Sequence, residues 1–269
     1  MLPLRTLVAR GADLYLPLND EETLIHFLFE HAEHRVIHTL LKEPCVSRID
    51  FNRRDQHGRT VFMGACVWRH ILSHYVSSCS SESGSGSGFE SGDMGPALPP
   101  PPASPPLRML ALPLSGRPDA TLADSLGRTA LHHLLANLGT PDHVLIQFVS
   151  HRDVLSTLFV PDTAGFSPWH YSLRFLRLAV CEAFLKLAGD GRAADDLLRH
   201  PDPDGRTALH HVAAQILAVR QSRQGSGHVE TQLPRDHFER CMVLWRRCIE
   251  VEKEALNVVD KEGNTPFHA

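Results

Sequence analysis

A charge excess of either sign is missing from this sequence: 27 Lys and Arg stand against 31 Asp and Glu, for a formal net charge of −4. That balance excludes capture of nucleic acid by the charge of the whole chain, so no direct nucleic-acid contact is expected. Aromatic residues are few, at 7% of the chain, whereas Ala, Leu, Arg and His are plentiful, a composition that leans towards helix. No uncharged apolar run approaches the roughly 18 residues needed to span a membrane, and no membrane contact is expected. The opening MLPLRTLVARGADL sets Arg5, Arg10 and Asp13 where a signal peptide needs an unbroken apolar core. Six cysteines (Cys45, Cys66, Cys79, Cys181, Cys241 and Cys248) form no CxxC pair. These absences predict a reduced intracellular protein, of cytoplasm or nucleus, with buried or idle thiols.

Catalytic motifs are lacking too. There is no Walker sequence, no GxGxxG and no HExxH. HRDVLSTL (His151–Leu158) begins like a kinase catalytic loop but lacks the required Asn, and no glycine-rich loop or DFG accompanies it. GSGSG (Gly84–Gly88) has its serine one place off a nucleophile elbow. Histidine is abundant, with 18 residues; His31, His34 and His38, and separately His70 and His74, fall at helical spacings that can hold zinc. No Cys or carboxylate completes a ligand set around either group. The expectation is a protein that is not an enzyme, with no metal and no cofactor.

What the chain does contain is repetition. GRTALHH occurs at Gly127–His133 and again at Gly205–His211. Between the copies lies a divergent one, and all three share a nine-residue frame: DSLGRTALH (Asp124–His132), DTAGFSPWH (Asp162–His170) and DPDGRTALH (Asp202–His210). DKEGNTPFH (Asp260–His268) is a fourth copy; DQHGRTVFM (Asp55–Met63) is weaker, with Met in place of His, and ETLIH (Glu22–His26) is an echo. Each position has a mechanical reason. Asp and Gly make a tight turn in which Gly takes positive φ. Thr or Ser caps a helix, Ala or Pro suits its first position, and the apolar residue begins a buried face. The His reaches back across the helix start, where a ring N–H can bond backbone. Small residues downstream, Ala65-Cys66 and Ala213-Ala214, let neighbouring helices approach. A second helix is expected within Leu145–Phe159, Leu176–Gly191 and His237–Glu250. In the last, Phe238, Cys241, Met242, Trp245 and Ile249 share one face. Alone such helix pairs cannot bury their faces, whereas stacked side by side they can.

This frame resembles the ankyrin repeat, whose signature reads D-x-x-G-x-T-P-L-H followed by small residues. VARGADLYL (Val8–Leu16) is similar to the end of such a repeat. The resemblance implies an all-α ankyrin-repeat solenoid of about six stacked helix-turn-helix units. The expected layout is N-terminal repeats over 1–76, the first incomplete; a Ser/Gly/Pro-rich disordered insertion over 77–120; and further repeats over 121–269, the last truncated. The Pro half of Ser77–Leu107 should be extended, and Arg220–Asp236 should be a surface loop. The ragged ends suggest a piece of a longer protein with a frayed last turn around Phe267. Within the insertion, LPPPP (Leu98–Pro102) has the form read by proline-recognition domains, and Ser104-Pro105 that of a proline-directed phosphosite.

The resemblance also implies a protein-protein interaction scaffold that engages its partner on the concave face of hairpin tips and first helices. Arg59, Arg128 and Arg206 share one tip position and could form a broken basic line. Trp68, Phe166 and Phe175 could add apolar anchors beside them, with Arg174 on the same first-helix face. The expected partner segment is acidic and partly apolar. The alternative is a regulatory or targeting segment of a larger protein, a transcription regulator or ubiquitin-ligase component.

Overall fold

The computed structural model describes residues 6, 8, 10–18, 22–42, 45–67, 105–110, 117–189, 191–224, 235–251 and 256–268. Two compact units emerge, one of Met1–Asp119 with Gly139–Val144, the other of Ala120–Leu138 with Leu145–Ala269. Among the described residues the regular structure is helical. Extended pairing is confined to the isolated bridges Pro17–Thr23, Arg54–Thr60 and Ala123–Thr129, which close the repeat tips.

In the first unit, α1 (Leu24–His31) and α2 (His34–Leu40) form a helix pair, and α3 (Val61–Val67) packs on α1. At Gly64 α3 lies against α1 at ordinary contact distance: a Cβ there would sit 3.6 Å from the His26 carbonyl. Ala65 and Cys66 beside it are fully buried, as small residues at that place predict. Before α1, Gly11 closes the preceding turn at φ +91°, its N–H reaching the Val8 carbonyl. A further helix, α4 (Pro105–Leu110), packs on α3 with Met109 and Leu110 buried. It lies inside the expected insertion and corrects the extended reading of Pro105–Leu107. Prolines at the start of a helix occupy positions whose N–H groups have no intrahelical partner. The remaining Ser/Gly/Pro-rich chain, including Leu98–Pro102 and Ser104, lies outside the described residues.

The second unit contains α5 (Ala130–Ala136), α6 (Asp142–Val149, in this unit from Leu145), α7 (Arg152–Leu155), α8 (Pro168–Arg174) and α9 (Leu178–Ala188). It continues with α10 (Arg192–Arg199), α11 (Ala208–Gln224) and α12 (Arg235–Val251). First helices stack on first helices, α5 on α8 and α8 on α11, while α9 packs on α12. Leu131, Leu134, Trp169, Leu173, Val180, Phe184, Leu209 and Leu244 fill the space between them. No single pair encloses these side chains, so each unit's apolar face depends on its neighbour.

Several expected elements differ in detail. Leu145–Phe159 is not one helix: His151 adopts an extended conformation (ψ 128°), and the chain restarts as α7. The helix expected from Leu176 starts at Leu178, because Leu176 sits at φ +57° where the chain turns between α8 and α9. Gly189, at φ +85°, ends it. The unexpected α10 follows, burying Ala194, Leu197 and Leu198. Arg220–Asp236 is not all loop, since α11 runs through Gln224 and α12 begins at Arg235. At the last tip the turn is formed, with Thr265 Oγ1 2.9 Å from His268 Nδ1, and Phe267 is 59% exposed against Trp245.

Candidate partner-binding face

The repeated heptapeptide carries two histidines because each does a different job. His132 Nδ1 accepts the Thr129 N–H at 3.0 Å and also meets the Thr129 hydroxyl. A nitrogen that accepts an N–H carries no proton, so the proton is on Nε2, which donates to the Phe166 carbonyl of the next unit at 3.1 Å. Thr129 and His132 thereby form a capping box with His where Glu or Gln is usual. His210 repeats the arrangement, through Thr207 and the Asn264 carbonyl at 3.3 Å. From the weak echo ETLIH, His26 makes the hydroxyl half of this contact, with Thr23 Oγ1 at 2.7 Å, and reaches the Arg53 carbonyl at 3.0 Å. Burial pushes His132 down to about 4, keeping the clamp neutral.

The second histidine holds the tip. Asp124 Oδ1 accepts the N–H groups of Leu126 and Arg128, and Oδ2 meets His133 Nε2 at 2.9 Å and Arg128 Nε at 3.0 Å. His211 stands in the same relation to Asp202 at 3.0 Å. In the divergent copy, Tyr171 takes this place and donates its hydroxyl to Asp162 at 2.9 Å. Burial, then the bond to Asp162, pushes Tyr171 up to about 12, so it stays a donor. Consecutive tips are tied by backbone: Thr163 N–H to the Leu126 carbonyl, and Lys261 N–H to the Asp204 carbonyl, both 2.9 Å.

This wiring bears on the three tip arginines. Arg59 pairs with Asp55 at 2.8 Å and Glu30 at 3.0 Å. Arg128 pairs with Asp124, and Arg206 reaches forward to Asp260 at 3.3 Å and Glu262 at 3.7 Å. Each guanidinium thus faces a carboxylate of the protein itself. Arg174 differs. It is exposed, lies over the Phe166 ring at 5.3 Å, and has no carboxylate within ion-pair distance among the described residues. Phe175 is half-buried beside Tyr171, ring centres 5.7 Å apart. Arg174 thus meets Phe166, and Phe175, next to it in the chain, meets Tyr171, which sequence reasoning did not single out. Its signal was available: Tyr171 follows the motif histidine, where the other copies have His133 and His211. Arg59 belongs to the first unit, and Trp68 lies outside the described residues.

Among the described residues one group, Glu22, Glu30 and His31, has metal-ligating atoms within 4.8 Å of one another. Glu30 there is committed to Arg59. The five described cysteines are buried free thiols; burial raises Cys66 and pushes Cys248 up to about 12, so both stay protonated. No described helix is long and apolar enough to cross a membrane.

Among solved structures the chain is similar to the ankyrin repeat domain of Bcl-3, a member of the IkappaB protein family. The TM-score is 0.53 at 15% identity, over 99% of this chain and 86% of that one. The fold is an all-α ankyrin-repeat array. No family model matches the sequence, and neither does any curated protein. The ankyrin-repeat frame read from residues 124–132, 162–170, 202–210 and 260–268 is thus met by the fold, with Asp, Gly, Thr or Ser, and His in the roles just described.

Proposed function

We propose that this chain is a non-catalytic protein-interaction scaffold that holds a partner segment on the tip and first-helix face of its second unit. The observation that carries this reading is Arg174. A guanidinium stacked on an aromatic ring, with no carboxylate at ion-pair distance among the described residues, keeps its fork of donors available for a partner's carboxylate. Phe166 and Phe175 flank it with partly covered apolar surface, and aromatic and Arg side chains dominate binding energy at such faces. The segment that fits carries an Asp or Glu next to an apolar side chain. Arg128 and Arg206 form the rim of this face; their internal pairing gives them a smaller share of the affinity than Arg174. Arg59 and Trp68 are candidates for further contacts from the N-terminal repeats.

A peptide-display selection against the whole immobilised chain tests this. Enriched peptides should pair an acidic residue with an apolar one. Arg174→Ala and Phe166→Ala should each lose about tenfold or more in affinity while keeping the wild-type helical content. Replacing Arg59, Arg128 and Arg206 together by Ala should weaken capture mainly at low salt. Peptides that bind Arg174→Ala and Phe166→Ala undiminished would remove the assignment of this face.

A further inference from the structure

The junctions within the second unit are not equally fastened. Between the tips that begin at Asp124 and Asp162, one backbone bond joins Thr163 to Leu126, and the His132 clamp reaches the Phe166 carbonyl. Between the tips that begin at Asp202 and Asp260, Lys261 bonds Asp204, His210 reaches Asn264, and Arg206 pairs with Asp260. The middle junction has neither stitch. The residue that should donate to the Ala164 carbonyl is Pro203, which has no N–H. The clamp that should reach the Arg206 carbonyl is His170. Its Nδ1 takes the Ser167 N–H at 3.1 Å, yet its buried Nε2 makes no hydrogen bond to the Arg206 carbonyl; among the described residues the only backbone that acts on this ring from the next unit is that of His200, ahead of the tip.

Beyond the His200 backbone, contact at these tips is by surface. The His200 ring stacks on His170 with centres 5.1 Å apart and planes 5° from parallel. A Cβ on Gly165 would come within 3.0 Å of Pro203 Cγ. On the outer side the same junction is clasped: α9 packs on α12, burying Val180, Cys181, Phe184, Leu244 and Cys248, and Arg240 pairs with Glu182 at 2.9 Å. Both directional bonds are absent from the tips, while the helices behind them still pack, α8 on α11 and α9 on α12.

We propose that the second unit hinges here, the tips at Asp162–Ser167 and Asp202–Thr207 parting and closing while α9 and α12 stay clasped. Stacked rings resist sliding and separation weakly, whereas a backbone hydrogen bond fixes both distance and direction. In an array held by neighbour contacts alone, motion concentrates at the least fastened interface. The hinge separates Phe166 from Arg206, so its opening sets the span that the concave face offers a bound segment.

Spin labels carried on p-acetylphenylalanine, which spare the native cysteines, report tip-to-tip distances in the whole chain. Equivalent exposed tip positions are Leu126, Ala164, Asp204 and Glu262. The 164–204 pair should give a broader distance distribution than the 126–164 and 204–262 pairs. Pro203→Thr, which supplies the missing donor, should narrow it. Pro201→Thr, two residues earlier and exposed, removes a proline with the same effect on the unfolded chain and should leave the width unchanged. Equal widths at all three junctions in the unsubstituted tips, or narrowing by Pro201→Thr as great as by Pro203→Thr, would overturn the hinge.

Discussion

Asp124 and His133 meet at 2.9 Å with both side chains buried, and the same carboxylate accepts two backbone N–H groups of its own turn. The tip is therefore organised around one anion. Asp124→Ala strands four donors at once and should destabilise the chain by about 3 kcal/mol or more. His133→Ala removes one partner and should cost about half as much. Urea denaturation of the two variants, followed by helical signal, checks the order.

The clamp histidines are not equivalent. His132→Ala leaves the Thr129 N–H and the Phe166 carbonyl without their bonds, whereas His170→Ala leaves the Ser167 N–H and deletes a nitrogen that makes no bond to the next tip's carbonyl. His132→Ala should be the more damaging by about 1 kcal/mol or more. Equal losses in thermal or urea denaturation would show that packing, and not the hydrogen bond to the next unit, sets the cost.

Acid should act in two stages. Burial pushes His132 and His170 down to about 4, and it lowers His26 and His210 as well. A histidine depressed in the folded state binds its proton more readily when unfolded. Stability from these four groups is complete above about pH 6.5 and is lost as pH falls towards 4. The carboxylates respond lower. Asp124 is held below the usual range, the His133 and Arg128 bonds overcoming burial; Asp202 is held there likewise through His211, and Asp260 through the Asn264 N–H. Their contribution persists above about pH 4 and disappears below it. The urea midpoint should fall between pH 7 and 4.5, and His132→Gln should show a shallower fall across that window.

Gly127 and Gly263 occupy the same tip position with φ +72° and +83°. A Cβ at Gly127 would sit 3.0 Å from the Thr163 nitrogen, while at Gly263 it meets nothing within 4 Å. Gly263→Ala should cost about 1 kcal/mol from the backbone conformation alone. Gly127→Ala should cost clearly more, because the obstacle is main chain that is itself bonded to Leu126. Thermal denaturation of the pair separates conformational strain from crowding.

The repeat frame was legible because its chemistry is local. Asp, Gly, Thr and His lie within nine residues, so turn, cap and ring contact can be read along the chain. The forward half of each clamp was not legible: His132 meets Phe166 across 34 positions, and a main-chain acceptor leaves no trace in residue identity. The arginines show a similar limit. Their shared tip position was visible, but Glu30 opposite Arg59 and Asp260 opposite Arg206 are brought in by folding. Arg174 was named for its helix face, whereas its stacking on Phe166 depends on how α8 turns relative to its own tip. Boundaries failed where unusual backbone decided them: Leu176 at positive φ delays α9, and α10 arises beyond a glycine that sequence reading takes as an end. Met63 departs from the motif histidine yet keeps part of its role, its sulfur lying 3.4 Å from the Thr60 N–H.

Each working clamp spends its outward proton on a carbonyl that every unit presents, whatever its side chains. That one contact between neighbours is consequently indifferent to the side chain of the accepting residue. A neighbour with other side chains at its tip could receive the same proton, provided its carbonyl stood in the same place. Pro203 marks the one joint in the second unit where that interchangeability has been given up.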